Sequence, residues 1–258
     1  MINFEKWHGN GNDFVIINSI EESIKLKKSF IKKIADRNMG VGFDQLIHIG
    51  LPTKDNHDFF VRFYNADGSE AGMCLNGIRC ASSYIWKKSL APMREINFRT
   101  KHINIKCFPK GDKQVSALLS KPKDMRNALL EKKLKKIIGN EIFLSSIGNN
   151  HLGIKMQSVD KVDLNMLYKK IEKLIKSLDI NLSIFTKKDK FVQIRTFENG
   201  VGETLSCGSA ALCVASHYIR DKAIKIKSFG GQLRFENHQD GILMSGPTNF
   251  IYKGNIDE

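Results

Sequence analysis

The feature that most constrains this chain is that its second half repeats a pattern of its first. With Cys74 placed over Cys207, 133 residues further on, Asn65 and Glu198 both stand nine residues upstream, and Glu70 and Glu203 four upstream. Cys80 and Cys213 stand six residues downstream, and Ser82-Ser83 and Ala215-Ser216 eight to nine downstream. Each segment reads as strand, Gly-rich turn, Cys, helix. A Gly-Asn pair also opens each half, Gly11-Asn12 and Gly148-Asn149. One matching Cys could be chance, but matching offsets on both sides of it argue for two pseudo-symmetric domains of similar architecture facing a shared cleft.

The rest of the chain fits a two-domain α/β (α+β) protein. Its 258 residues suit one large domain or two of about half that length. Hydrophobic residues at 41% and charged residues at 26% support a packed core over disorder. Periodicity predicts strands at 14–18, 45–49, 59–64, 95–107, 114–119, 141–156, 181–186, 191–197, 224–235 and 241–252. Helices are predicted over 23–37, 76–88, 161–177 and from Cys207 to about Tyr218. The Lys-rich stretch 121–139 reads as a boundary or crossover. The division is therefore expected as 1–120, joined by a C-terminal strand at about 249–258, and 121–248.

Several function classes drop out. No apolar run approaches the ~20 residues needed to cross a bilayer, so no membrane partner is expected. Met1 to Asn12 lacks the basic-then-apolar order of a signal peptide, so a soluble cytoplasmic protein is expected. Five Cys with no C-x-x-C pair argue against a disulfide framework or structural zinc, and no metal is expected. The net charge of +14 comes from 32 Lys and only 9 Arg. Bursts such as Lys32, Lys33 and Lys132, Lys133, Lys135, Lys136 alternate with Ile and Leu, as on the solvated faces of helices. Nucleic-acid sites favour Arg forks and interleaved aromatics, so no nucleic-acid partner is expected.

The two aligned cysteines carry the chemistry. The first N–H groups of a helix lack internal acceptors, and the helix dipole places about half a positive charge there. A Cys at that position favours its thiolate, and the following amides can bind a carboxylate. Two such units facing one another suit inversion at a carbon next to a carboxylate. One thiolate removes the α-proton, the amides stabilise the enolate-like charge, and the opposite thiol protonates the other face. Neither metal nor pyridoxal is required, so no cofactor is expected. Cys80, Cys107 and Cys213 read as core thiols.

These residues resemble the diaminopimelate epimerase family, the cofactor-independent two-cysteine amino-acid racemases and epimerases. The resemblance rests on HGNGNDFVIIN (8–18), GVGFDQLIHI (40–49), FYNADGSEAGMCLNGIRCAS (63–82), GNNHLGI (148–154), RTFENGVGETLSCGSAALCVAS (195–216) and SGPTNFIYKG (245–254). It implies two domains, each a curled β-barrel-like sheet around a central helix, with the active site in the cleft between them. It implies that Cys74 and Cys207 are the acid/base pair and that His151 and Glu198 flank the reacting centre. It implies that Leu75, Asn76, Gly208 and Ser209 hold the reacting carboxylate, and that Asn12, Gln45, Asn65, Asn149 and Asn181 orient the substrate. The implied partners are a small amino-acid substrate, most simply LL-diaminopimelate converted to the meso form, and a second copy of the chain. Asp13 is expected to anchor its loop.

Four departures fall mostly on substrate recognition. The family's Glu-Arg-Gly reads Glu198-Asn199-Gly200, and its Cys-Gly-Asn-Gly reads Cys74-Leu75-Asn76-Gly77. Ala210 and Asn150 replace a Gly and a Pro. Asn199 thus stands where the resemblance implies an Arg gripping the distal carboxylate. Asn supplies neither charge nor bidentate fork, a difference of about 1.5–3 kcal/mol. The alternative is therefore a racemase for an amino acid without a distal carboxylate, such as histidine or lysine. A catalytically silent relative that binds an amino acid yet exchanges no α-proton also fits the altered recognition residues, whereas a nucleic-acid-binding protein and a thiol hydrolase explain less, because neither needs two helix-start cysteines.

Overall fold

A computed structural model describes residues 1–21, 24–111, 113–219 and 223–257. Ser23 and Glu258, at the outer ends of an expected helix and strand, lie outside the described residues. The chain divides into two compact units, Met1–Leu119 with Ser245–Glu258, and Ser120–Met244.

The first unit runs β1 (Ile2–Gly9), β2 (Asn12–Asn18), α1 (Lys28–Ala35), β3 (Gln45–Gly50), β4 (Phe59–Asn65), β5 (Glu70–Ala71), α2 (Leu75–Lys87), β6 (Ile96–Arg99), β7 (Asn104–Pro109) and β8 (Gln114–Leu119). The second contains β9 (Lys123–Asp124), α3 (Ala128–Ile138), β10 (Ile142–Ser146), β11 (Asn150–Lys155), α4 (Leu164–Ile175), β12 (Ile180–Lys187), β13 (Val192–Glu198), β14 (Gly202–Thr204), α5 (Gly208–Ser216), β15 (Ile224–Ser228) and β16 (Gly231–His238). The dividing point near residue 244 falls within β17 (Gly241–Pro247), and β18 (Asn249–Ile256) pairs antiparallel with β1.

The two units share one pairing scheme. An antiparallel pair comes first, β1–β2 and β10–β11, followed by a parallel step, β2–β3 and β11–β12. An antiparallel neighbour follows, β3–β4 and β12–β13, and then a short strand that folds back, β5 on β4 and β14 on β13. A helix then leads to a parallel step, β4–β6 and β13–β15, and a last hairpin, β6–β7 and β15–β16.

Helix composition explains the layering. In α2 every residue but Ser83 and Lys87 is buried, and in α5 every residue but Ser216. A helix buried all round must be enclosed. Accordingly α2 packs against β1, β2, β3, β7 and β8, and α5 against β11, β12, β13, β15 and β16, so each sheet curls around its helix. Gly77 makes the approach possible in the first unit, since a Cβ there would stand 2.7 Å from the Phe63 ring. By contrast α1, α3 and α4 bury one stripe each, and their Lys bursts are solvated. Among the described residues no helix is long and apolar enough to cross a membrane.

Several elements differ from the periodicity reading. β1 has no sequence-level prediction because buried Glu5 and Lys6 interrupt its apolar alternation. Glu5 is held by Trp7 Nε1 at 2.8 Å and Lys88 Nζ at 2.6 Å, and Lys6 by Asp13 at 2.6 Å and the Gly42 carbonyl. The 121–139 stretch contains a true helix, α3, capped by Asn127 and ended by Gly139 at φ 73°. Only Leu130 and Leu134 of α3 are buried, too narrow a stripe to stand out among lysines. The expected strands 95–107, 141–156, 224–235 and 241–252 are each two strands. Breaks fall at the Thr100–Ile103 turn, at Gly148 with φ 96°, between Ser228 and Gly231, and at Thr248. The predicted helix 23–37 is regular only over Lys28–Ala35.

Candidate active site

In the first unit Cys74 is the N-cap of α2, with extended φ −135° and ψ 117°. The β4–β5 fold-back delivers the chain to that cap. Cys74 is half-buried, and its Sγ accepts the Gly77 N–H at 3.4 Å. The thiol donates to Asn12 Oδ1 at 3.5 Å, and Asn76 Nδ2 donates to the same oxygen at 3.5 Å. Asn12 Nδ2 in turn donates to Asp44 at 2.7 Å. Asp13 ties this loop down through Lys6, through both arms of Arg37, and by accepting the Asp44 N–H.

Gln45 and Asn65 face each other across β3 and β4, and Gln45 Nε2 donates to Asn65 Oδ1 at 2.8 Å. Asn65 Nδ2 passes a bond on to Ser69. These two residues thus form a cluster of their own beside the Cys74–Asn12–Asn76 cluster. Leu75 is buried, so its side chain belongs to the core.

In the second unit Cys207 is the N-cap of α5, again extended at φ −116° and ψ 110°. It follows β14 as Cys74 follows β5. Its environment is different, because the thiol is buried and its Sγ lies 3.3 Å from Ser209 Oγ. Burial and the negative charge of Glu198 push the thiol upward, against the Ser209 hydroxyl and the Ala210 N–H. Asn149 Nδ2 donates to Ser209 Oγ at 3.2 Å, linking it to this cluster, and Gly208 is the buried first residue of α5.

His151 on β11 lies in register with Ser145 on β10 and Asn181 on β12. It is 1% exposed, and neither ring nitrogen has a hydrogen-bond partner among the described residues. Burial lowers its pKa to about 4, so the imidazole is neutral at pH 7. Glu198, at the end of β13, accepts the Thr204 hydroxyl of β14 at 2.6 Å. Asn199 is engaged at three atoms. Its N–H donates to Asn181 Oδ1 at 2.9 Å, its Nδ2 to Asp179 at 2.8 Å, and its Oδ1 accepts Tyr168 O–H at 2.8 Å.

The structure therefore gathers Cys74, Asn12 and Asn76 in one cluster and Cys207, Ser209 and Asn149 in another. Gln45 with Asn65, and Asn181 with Asn199, form separate pairs. Asp44, Arg79, Thr204, Tyr168 and Asp179 are supporting residues that the sequence reading did not single out. Asp44, Arg79 and Thr204 lay within the quoted motifs, whereas nothing local marked Tyr168 or Asp179. Among the described residues no group of three His, Cys, Asp or Glu could hold a metal ion.

Comparison with known proteins gives a consistent picture. The profile of the diaminopimelate epimerase family matches residues 4–122 and 143–251. A diaminopimelate epimerase of Acinetobacter baumannii (strain AYE) is 31% identical over 274 residues, covering 100% of this chain and 98% of that protein. That of Psychrobacter sp. (strain PRwf-1) is 29% identical over 275 residues, covering 98% and 94%. Among solved structures, a Bacillus anthracis phenazine biosynthesis protein of the PhzF family matches with TM-score 0.73 at 14% identity, covering 100% of this chain and 99% of that one. A hydroxyproline epimerase from Agrobacterium vitis matches with TM-score 0.68 at 9% identity, covering 99% and 90%. At those identities the structural matches establish a shared two-domain fold.

Proposed function

The chain belongs to the diaminopimelate epimerase family, and from that premise we propose that it inverts the α-carbon of diaminopimelate with Cys74 and Cys207 as a two-base pair. The observation that carries the proposal is the equivalence of the two cysteines. Each caps an enclosed helix in an extended conformation, each follows a short strand folded back on its neighbour, and each lies in a cluster with an Asn at the end of a hairpin turn, Asn12 where β1 turns into β2 and Asn149 where β10 turns into β11.

In the mechanism a Cys74 thiolate takes the α-proton and becomes a thiol. The electron pair left on carbon is shared with the α-carboxylate, which the first amides of α2 and α5 stabilise. Cys207, held protonated by burial and by Glu198, gives its proton to the opposite face and becomes the thiolate. One proton is taken and one is given, which leaves the enzyme in the form that acts on the product, so Cys74 must lose its proton to solvent and Cys207 regain one before the next turnover in the same direction. Neutral His151 and Glu198 attend the α-ammonium and the thiols. Asn12, Asn65, Asn76, Asn149, Asn181, Gln45, Gly208 and Ser209 orient the substrate, while Leu75 contributes backbone. A homodimer and a cytoplasmic location belong to the same reading.

A second reading is favoured by Asn199. Its amide is committed to Tyr168 and to the carboxylate of Asp179, which suits a substrate whose far end is neutral or cationic. The test is α-proton exchange in D2O under reducing conditions, followed by proton NMR. The panel is LL- and meso-diaminopimelate, then histidine, lysine, arginine and glutamate. Exchange on diaminopimelate supports the first reading. Exchange on a monocarboxylic amino acid alone supports the second, and exchange on none of the panel refutes both.

A further inference from the structure

We infer that Arg79 is the positioning residue of the Cys74 thiol: it orders Leu75 and Asn76 beside the cysteine and supplies the fixed positive charge against which a Cys74 thiolate forms. This rests on the acid/base role proposed for Cys74.

Arg79 is a fully buried side chain, 0% exposed, on α2 one turn beyond Leu75. Its Nη1 donates to the Leu75 carbonyl at 3.1 Å. Its Nη2 donates to Asn10 Oδ1 at 2.9 Å and to Asn76 Oδ1 at 3.1 Å. A guanidinium can only donate, so it fixes which way the Asn76 amide points. Asn76 Nδ2 is thereby directed at Asn12 Oδ1, the oxygen that the Cys74 thiol also reaches. One buried cation thus sets the direction of a chain of hydrogen bonds running Arg79 to Asn76 to Asn12, with Cys74 meeting it at Asn12.

The charge has a second effect. Burial works against the charged guanidinium, and the thiols of Cys80, Cys74 and Cys107 favour it. Cys80 and Cys107 are fully buried, and burial pushes both up to about 12. Of these three thiols only Cys74 is half-buried rather than fully buried, so it is the one open to a reagent or substrate.

The other charged groups on the elements around α2 are directed elsewhere. Glu5 of β1 binds Lys87 and Lys88 at the far end of the helix. Lys6 binds Asp13, and Arg37 binds Asp13 and Asp44. Asp44 also holds Asn12, so it is a negative charge tied into this network. His8 on β1 is half-buried, His48 on β3 bonds Ser19, and His102 packs against Gly72 in the turn before Cys74.

The test reads the thiol rather than turnover. Iodoacetamide alkylation of Cys74 is followed by peptide mass spectrometry from pH 5.5 to 9.5 in the full chain. Arg79→Met removes the charge, Arg79→Lys keeps it without the fork, and Asn10→Asp places a carboxylate against an intact guanidinium. Asn10 has φ 55°, a conformation that Asp also tolerates. The apparent pKa of alkylation is expected to rise by about one unit, a tenfold fall in rate below the pKa, in Arg79→Met and Asn10→Asp. It should stay near the parent value in Arg79→Lys. Should Arg79→Met fail to fold, Asn10→Asp decides alone. An unchanged profile in folded Asn10→Asp overturns the inference. Absence of α-proton exchange in the parent chain would sink the proposed function and leave the alkylation result standing.

Discussion

The Tyr168 hydroxyl donates to Asn199 Oδ1 at 2.8 Å, and the Tyr168 ring stacks on Phe197 with centroids 4.1 Å apart. The stack holds the phenol in place, and the hydrogen bond holds the amide at the position where the family's Arg is absent. Tyr168→Phe keeps the stack and removes one neutral hydrogen bond, a loss of about 0.5–1.5 kcal/mol. If Asn199 meets the far end of the substrate, as the proposed function holds, the expected effect is a KM raised by roughly three- to tenfold, with kcat within twofold. Steady-state kinetics on whichever substrate exchanges its α-proton measures the split. A fall in kcat at unchanged KM would place Tyr168 in the chemical step instead.

Gly77 and Ala210 occupy the same third place after the N-cap cysteine in the two enclosed helices. A Cβ at Gly77 would meet the Phe63 ring at 2.7 Å, and Phe63 is itself fully buried and has nowhere to retreat. Gly77→Ala gains up to ~1 kcal/mol of helix propensity but overpacks the core at about 1–3 kcal/mol. The clash wins, and denaturant unfolding should show a net loss. In the second unit Ala210 already carries the Cβ. There Ala210→Gly should cost about 1 kcal/mol through propensity and roughly 0.8 kcal/mol more for the buried methyl it removes.

What could be read from the sequence is what the backbone repeats. The offsets around Cys74 and Cys207 were legible because a Gly-rich turn followed by a helix N-terminus restricts residue type at each step. The two helices were legible as helices, but their enclosure came only with the family resemblance, since α2 carries Asn76, Arg79, Ser82 and Ser83 among its apolar residues. β1 was not, since Glu5 and Lys6 are buried only by virtue of partners elsewhere in the fold. The support behind the candidate site was equally hidden. Tyr168 and Asp179 reach Asn199 across 31 and 20 residues, and Arg79 has the composition of a surface residue. Burial of a cation is a tertiary event that no local pattern announces.

The repeat extends to an ion pair. Arg62 and Glu70 stand across the β4–β5 fold-back, and Arg195 and Glu203 occupy the corresponding places across β13–β14. The first pair is loose, at 4.0 Å with Arg62 47% exposed, and is worth ~0–1 kcal/mol. In the second, Arg195 grips Glu203 through Nε at 2.7 Å and Nη2 at 2.9 Å, and bonds the Val159 and Val162 carbonyls as well. Arg195→Met strands a partly buried carboxylate and two carbonyls, so a loss of about 2–4 kcal/mol is expected, against less than ~1 for Arg62→Met. Equal losses in urea titrations of the two variants would contradict this assignment.

Acid should lower the protein's stability over two successive pH ranges. Burial lowers His151 to about 4, and burial with the nearby charge of Arg62 lowers His48 to about 4, against about 6.5 for an unfolded His. Between those values the unfolded chain binds protons that the folded one does not. The stabilisation is therefore complete above about pH 6.5 and is lost as pH falls through about 4. For His151 this amounts to roughly 3 kcal/mol. Asp13 follows at lower pH. Burial alone would raise it, but hydrogen bonds from Arg37 and Lys6 hold it at about 2, so its contribution is present above about 3.8 and lost through about 2. Urea unfolding at pH 7.0, 5.5 and 4.5 should show stability falling with a slope of about two protons from His48 and His151, to which His217, also lowered by burial, adds. His151→Gln should reduce that slope by about one proton. An identical slope in the variant would mean that His151 is protonated in the folded state.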